Sequence, residues 1–255
     1  MTDRIITIPC LDDNYAYLVH LAASNTTILI DAPEAAPIEA ALMDHGWSLD
    51  YVLITHHHWD HIDGLAALQK NHSPVIIGAK ADAGRLPKLD LEIDSTGTIE
   101  IAGTQIEIID VPGHTIGHIA YYFPEQSALF SADSLMIMGC GRLFEGSADQ
   151  MWESLERLMA LPHDTLIYGG HEYTQANAKF ALSVDGTNDA LKRRVLEIDK
   201  MRAQNIPTNP APLALEIATN PFLRAKDMDM KTKIGMETAS NAACFAKLRS
   251  LKDNF

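Results

Sequence analysis

Thr55-His56-His57-His58-Trp59-Asp60-His61 constrains this chain more than any other stretch. It packs four imidazoles and a carboxylate into one turn's length, directly after an apolar run at residues 51–54. That run has the length and β-branched content of a buried strand. The cluster therefore falls at a strand's carboxyl end, where α/β sheets gather their ligands. Imidazole nitrogen and carboxylate oxygen suit divalent metals such as Zn, Fe and Mn. His56 and His58 can project from a tight turn toward one ion, while Asp60 and His61 can turn toward a second.

The same placement recurs three times. His114, in Pro112-Gly113-His114-Thr115, follows the run at 106–111; Asp133, in Ser131-Ala132-Asp133-Ser134, follows 128–130; His171, in Gly169-Gly170-His171-Glu172, follows 165–168. A lone histidine is usually a surface or satisfied core residue. Five histidines and two aspartates, each just beyond a strand, are poorly explained that way. His20, His45, His72 and His163 are expected to be structural or exposed, His57 to point away from the metals, and His118 to support the ligands from behind. No Gly-x-Ser-x-Gly occurs, so nothing calls for a serine nucleophile.

Short β-branched runs alternate with polar turns up to about residue 171, at 26–30, 51–54, 75–77, 105–109, 119–123, 128–130 and 165–168. Helical patterns at 36–44, 64–70 and 150–161 lie between some of them, which makes this α/β material. Beyond residue 173 the period changes. Residues 174–184 and 188–204 read as amphipathic helices, and a Pro-rich stretch at 206–221 separates them from a final helix at about 237–250. The expected organisation is a domain at 1–172 followed by a helical domain at 173–255.

Composition narrows the partners. The chain of 255 residues has 20 Lys+Arg against 34 Asp+Glu, a formal net charge of −14, which argues against nucleic acid as its ligand. No apolar run reaches the roughly 18–20 residues of a membrane span. Cys10, Cys140 and Cys244 are odd in number and dispersed, which fits reduced thiols in the cytoplasm. A monomer is expected. Residues 224–255 nevertheless hold seven Lys+Arg against four Asp+Glu. Composition alone reads that excess as a solvated helix end, since exposed Lys and Arg are ordinary. Fields are screened beyond about 8 Å at physiological salt, so its effect on any anionic ligand is local.

The set His56-x-His58-x-Asp60-His61, His114, Asp133 and His171 resembles the metallo-β-lactamase superfamily. Further stretches resemble its glyoxalase II branch, the hydroxyacylglutathione hydrolases: Asp13-Asn14-Tyr15-Ala16-Tyr17, Gly139-Cys140-Gly141-Arg142-Leu143-Phe144-Glu145-Gly146, Gly170-His171-Glu172-Tyr173-Thr174, Asn220-Pro221-Phe222-Leu223-Arg224 and Arg249-Ser250-Leu251-Lys252-Asp253. They run from near the first residues to near the last.

The resemblance implies an αββα metallo-β-lactamase sandwich followed by a helical C-terminal domain that contributes to glutathione binding. It implies hydrolysis of the thioester S-D-lactoylglutathione, and related 2-hydroxyacylglutathiones, to D-lactate and glutathione by a hydroxide bridging two divalent ions. Zn is the expected ion, with Fe and Mn as alternatives. Carried over by position, His56, His58 and His114 hold one ion, Asp60, His61 and His171 hold the other, and Asp133 bridges them. Asp60 and Asp133 are then the catalytic carboxylates. Arg142, Phe144, Tyr173, Arg249 and Lys252 fall at substrate-binding positions. The family often has Lys-x-Tyr where this chain has Arg142-Leu143-Phe144: the charge is kept and a hydroxyl is lost. Ser131-Ala132-Asp133-Ser134 likewise departs from the more usual Gly-Asp-Thr. Alternatives within the superfamily are a one-iron glutathione persulfide dioxygenase, a lactonase or a general thioesterase. Outside it, the alternative is a metal-stabilised binding module with no turnover.

Overall fold

The computed structural model describes residues 2–255. Packing divides the chain into two compact units. The first holds residues up to Asp110 together with Gly117–Gln126, and the second holds Val111–Ile116 with Ser127–Phe255.

In the first unit, β1 (Arg4–Cys10), β2 (Asn14–Leu21), β3 (Thr26–Ile30), β4 (Tyr51–Leu53), β5 (Val75–Ala79) and β6 (Leu91–Ile93) form one sheet in that order. β1, β2 and β3 pair antiparallel, and β3 through β6 pair parallel. Parallel neighbours need crossovers. The helix α1 (Ala35–His45) supplies one between β3 and β4, and α2 (Trp59–Ile62) with α3 (Leu65–Asn71) supplies the next. The register explains the core. Leu18 pairs with Leu29, Leu29 with Val52, and Val52 with Ile76, so one row of apolar side chains crosses four strands. All four are fully buried, in one cluster with Ile38 and Leu42 of α1 and Leu65 and Leu68 of α3. The other face, with Val19, Ile30, Leu53 and Ile77, is also buried. Burial on both faces is why these strands read as continuous apolar runs. The unit is completed by an antiparallel meander of β7 (Gly97–Ile101), β8 (Thr104–Asp110) and β9 (Ile119–Phe123).

In the second unit, β10 (Ala128–Ala132) leads to a two-stranded hairpin, β11 (Leu135–Met136) and β12 (Gly139–Cys140). The helix α4 (Ala148–Met159) follows, started by a reciprocal capping box between Ser147 and Gln150. β13 (Leu166–Gly169) pairs parallel with β10. Beyond it come α5 (Thr174–Asp185) and α6 (Asp189–Arg202), then β14 (Ala211–Pro212), α7 (Leu213–Thr219), α8 (Met228–Lys233) and α9 (Asn241–Asp253). The Pro-rich stretch is therefore more than a separator. It holds a strand paired antiparallel with β13 and then a helix. Pro212 sits just before the first helical turn, where no backbone donor is required, so it opens α7 rather than breaking it.

Candidate functional site

Two donor sets arise, one in each unit. In the first, β3 and β4 lie side by side and end together, with Ile30 paired to Leu53. Asp31 and the Thr55–His61 loop therefore emerge from neighbouring strand ends. Asp31 is buried, with φ at 55°, and its backbone N–H donates to the Leu53 carbonyl at 3.0 Å. Its carboxylate accepts from Thr55 N at 2.8 Å, from Thr55 Oγ1 at 2.8 Å and from His61 Nδ1 at 2.8 Å. The Thr55 hydroxyl gives its proton to Asp31, so its oxygen accepts from His56 Nδ1 at 3.0 Å. A His ring that donates through Nδ1 keeps the lone pair on Nε2, so His56 and His61 both present Nε2 as the atom able to bind a metal. His56 Nε2 lies 3.1 Å from His58 Nδ1. Asp60 is held by Asn14, whose amide donates to its backbone carbonyl at 2.9 Å and to Oδ2 at 3.1 Å. His57 turns elsewhere, with Nδ1 3.0 Å from the buried carboxylate of Asp82. His118 stacks on His56 with ring centroids 4.6 Å apart.

In the second unit, the β10–β13 register shifts between Phe130 and Ala132, and Ala132 adopts φ 40°. Such an irregularity re-aims the next side chain, and here the next residue is Asp133. Asp133 Oδ2 lies 3.3 Å from His114 Nε2 and also 3.3 Å from His171 Nε2. The Nδ1 of His114 faces the Arg142 carbonyl at 2.9 Å. A carbonyl can only accept, so Nδ1 carries the proton and Nε2 the lone pair. Gly141 makes this contact possible, because a Cβ there would overlap the Asp133 carbonyl and approach His114 Nδ1 to 2.8 Å.

These donors fit divalent metal ions. Around a tetrahedral ion with bonds of about 2.0–2.1 Å, neighbouring donor atoms stand roughly 3.3 Å apart. The His56–His58 pair and both Asp133 pairs have that spacing. Cysteine chemistry does not compete. Burial raises the Cys10 thiol to about 12 and the Cys140 thiol to about 11, so both stay protonated near neutral pH.

The helical part of the second unit carries the remaining expected residues. A cleft of about 530 Å³ is lined by Glu172, Tyr173, Gln175, Ala176, Lys179, Arg202, Lys252 and Phe255. Tyr173 is stacked on His171 with rings 4.7 Å apart. Lys252 donates to the Ala176 carbonyl at 3.1 Å. Burial lowers its pKa, and the nearby Arg249 and Arg142 charges lower it further. Arg142 is largely exposed, 4.0 Å from Asp253. Phe144 is exposed, its ring 5.2 Å from that of His114. Arg249 is buried and committed to the Cys140 carbonyl at 3.0 Å and to Asp253 at 2.8 Å.

Two family models divide the chain between them. The metallo-beta-lactamase superfamily matches residues 11–171, and the hydroxyacylglutathione hydrolase C-terminus matches residues 172–255. The protein from Ruegeria pomeroyi called hydroxyacylglutathione hydrolase is 57% identical over 99% of both chains. That from Roseobacter denitrificans, with the same name, is 52% identical over the whole of both. The chain belongs to the hydroxyacylglutathione hydrolase family. It also has the metallo-β-lactamase fold, as solved structures at low identity indicate. ETHE1 from Myxococcus xanthus matches with a TM-score of 0.63 at 24% identity, covering 93% of this chain and 91% of that one. The B3 metallo-beta-lactamase BLEG-1 matches with 0.66 at 19%, covering 86% and 99%.

For this hydroxyacylglutathione hydrolase family member, the residues that hydrogen-bond the candidate donors are not singled out by the sequence. Asp31 follows a strand just as those donors do, and that position is the available signal. Asn14 sits in the Asp13-Asn14-Tyr15 stretch, but nothing local links it to Asp60, 46 residues away. Lys179 and Arg202 line the cleft without any motif. Lys179 lies one helical turn beyond Gln175 and Ala176, on the same face of α5.

Proposed function

We propose that this enzyme hydrolyses S-D-lactoylglutathione, and related 2-hydroxyacylglutathiones, to the 2-hydroxy acid and glutathione. The observation that carries this reading is likeness over the full length of the chain to hydroxyacylglutathione hydrolases, the helical C-terminal part included. In this reading residues 1–172 form the catalytic domain and 173–255 a helical domain that contributes to glutathione binding. His56, His58 and His114 hold one ion, Asp60, His61 and His171 the other, and Asp133 bridges. The two equal 3.3 Å approaches to a single Asp133 oxygen support the bridging role. Zinc is the ion we assign, and Fe and Mn accept the same donors. When bound, two such ions activate water at neutral pH and stabilise the charge that develops on a carbonyl oxygen.

The chain's own residues do the rest. Asp31 and Thr55 fix the ring orientation of His56 and His61, and Asn14 holds Asp60 in place by donating to its Oδ2. Arg142, Tyr173 and Lys252 meet the glutathione peptide, and Phe144 offers it an apolar face. Arg249 serves the same ligand while anchoring Cys140. A thiolate leaves readily, because the free thiol's pKa is only about 8.5, so no strong general acid is needed. The acidic charge and the reduced thiols fit a monomeric cytoplasmic enzyme with no nucleic-acid or membrane partner. No helix of the described residues is long and apolar enough to cross a membrane.

The test compares S-D-lactoylglutathione with the lactoyl thioester of N-acetylcysteamine and with a simple lactone. The glutathione thioester should show a kcat/KM at least about 10-fold higher, the factor that 1.4 kcal/mol of binding to the peptide portion gives. Equal rates on all three, or faster turnover of the lactone, would reject the assignment.

A further inference from the structure

The β11–β12 hairpin is two residues long on each side, too short to order itself, yet its turn is buried throughout. Buried backbone groups must find partners, and here four side chains from the helical region supply them. Asn177 of α5 donates to the Ile137 carbonyl at 3.2 Å. The Met138 N–H donates to Glu216 Oε2 of α7 at 2.8 Å. Asn220 donates to the Gly139 carbonyl at 3.0 Å, and Arg249 of α9 to the Cys140 carbonyl at 3.0 Å. The fit is close: a Cβ at Gly139 would overlap the Asn177 amide.

Glu216 is the centre of this clamp. Its side chain is fully buried, and it is ion-paired with Arg194. Oε2 also accepts from Asn220 Nδ2 at 3.1 Å, so one carboxylate organises two of the four contacts. Arg194 in turn donates to Thr219 Oγ1 at 2.5 Å and to the Leu215 carbonyl at 3.2 Å. A fully buried ion pair adds little net stability over an apolar replacement of the same shape, which directs attention to what it positions. Asp133 lies two residues before the hairpin. After it, Gly141 N donates to the Asp133 carbonyl at 2.8 Å, and the Arg142 carbonyl accepts from His114 Nδ1.

We propose that Glu216, neutralised by Arg194, is a positioning residue: by fixing the Met138 turn it sets the Asp133 and His114 donors. The consequence for turnover rests on the proposed function. The consequence for metal binding does not, so the two readings can fail separately.

The experiment uses the full chain loaded with zinc, and compares wild type with Glu216→Leu, Glu216→Gln and Asn220→Ala. Zinc content is measured after dialysis against a chelator at a concentration that leaves the wild type loaded. Thermal melts are recorded in parallel. Glu216→Leu should retain zinc about 10-fold more weakly, at the lower end of what loss of an outer support costs a metal site. Its kcat should fall by a similar factor with a smaller change in KM. Glu216→Gln keeps an oxygen for the Met138 N–H but turns its NH2 toward Arg194, so it should recover most of the zinc retention while melting at a lower temperature. If Glu216→Leu does not fold, Asn220→Ala, which removes the contacts to Gly139 and Glu216 along with one to the Phe222 N–H, carries the test in the same direction. Lower melting temperatures with unchanged zinc retention and kcat in the folded variants would overturn the proposal. So would a Glu216→Gln protein as impaired as Glu216→Leu.

Discussion

His56, His61 and His114 each have Nδ1 turned to an oxygen, namely Thr55 Oγ1, Asp31 Oδ2 and the Arg142 carbonyl. In all three the atom that keeps a lone pair is thereby Nε2, and the ring cannot flip without losing a buried hydrogen bond. The proposed ligands stand out in the sequence because each follows a strand-like run. Asp31 and Asn14 were harder to read, since a hydrogen-bonding support leaves no spacing signature. Asp31→Ala removes the acceptor for three donors, so zinc affinity should fall roughly 10–100-fold, measured by competition with a chromogenic chelator. An unchanged affinity would show that His61 needs no such support. Lys252 supplies a pH test. Its pKa lies below the ordinary lysine value of 10.5 because burial, then Arg249 and Arg142, disfavour the cation. The cation is the form that attracts a carboxylate. KM for the glutathione thioester should therefore rise with pH, beginning below the range of a free lysine. Lys252→Met should have a higher KM near neutral pH and lack that alkaline rise. A wild-type KM flat across that range would contradict a binding role for the ammonium.

Among the elements, β3 and β9 have the bounds expected from run length and from β-branched and aromatic content. β2 was missed although it is a longer strand. Every residue of it is buried, so it shows no alternation, and it opens in polar Asn14. The two-residue strands β11, β12 and β14 have no local signal at all, because side chains and neighbouring strands distant in sequence define them. α7 was hidden by prolines that precede it rather than interrupt it. The row Leu18, Leu29, Val52 and Ile76 is where element packing can be measured. Leu29→Ala should cost about 2–5 kcal/mol of unfolding free energy in a urea titration. Zinc content per folded molecule should stay at the wild-type level, because Leu29 belongs to the apolar cluster under the sheet. A loss below about 1 kcal/mol would mean the row is not close-packed.

For the molecule as a whole, a net charge of −14 is set against an anionic substrate, and charge distribution resolves the conflict. The cleft at α5 and α9 is lined by Lys179, Arg202 and Lys252 against a single carboxylate, Glu172, which is itself occupied by Thr208 and Arg202. The basic excess of residues 224–255 was visible in the sequence, whereas its meeting with Lys179 and Arg202 needed the fold. The family and the helical C-terminal part were legible, because each rests on residues in a fixed order along the chain, and the proposed metal donors rest on the same kind of order. Metal-dependent hydrolysis of a glutathione thioester can be followed as glutathione release from S-D-lactoylglutathione through one cycle of chelation and zinc restoration, with metal counted at each stage. The enzyme should turn over with two ions per chain, stop when they are removed, and recover when they return. A fully loaded enzyme that releases no glutathione, or a stripped one that keeps its full rate, would contradict metal-dependent hydrolysis.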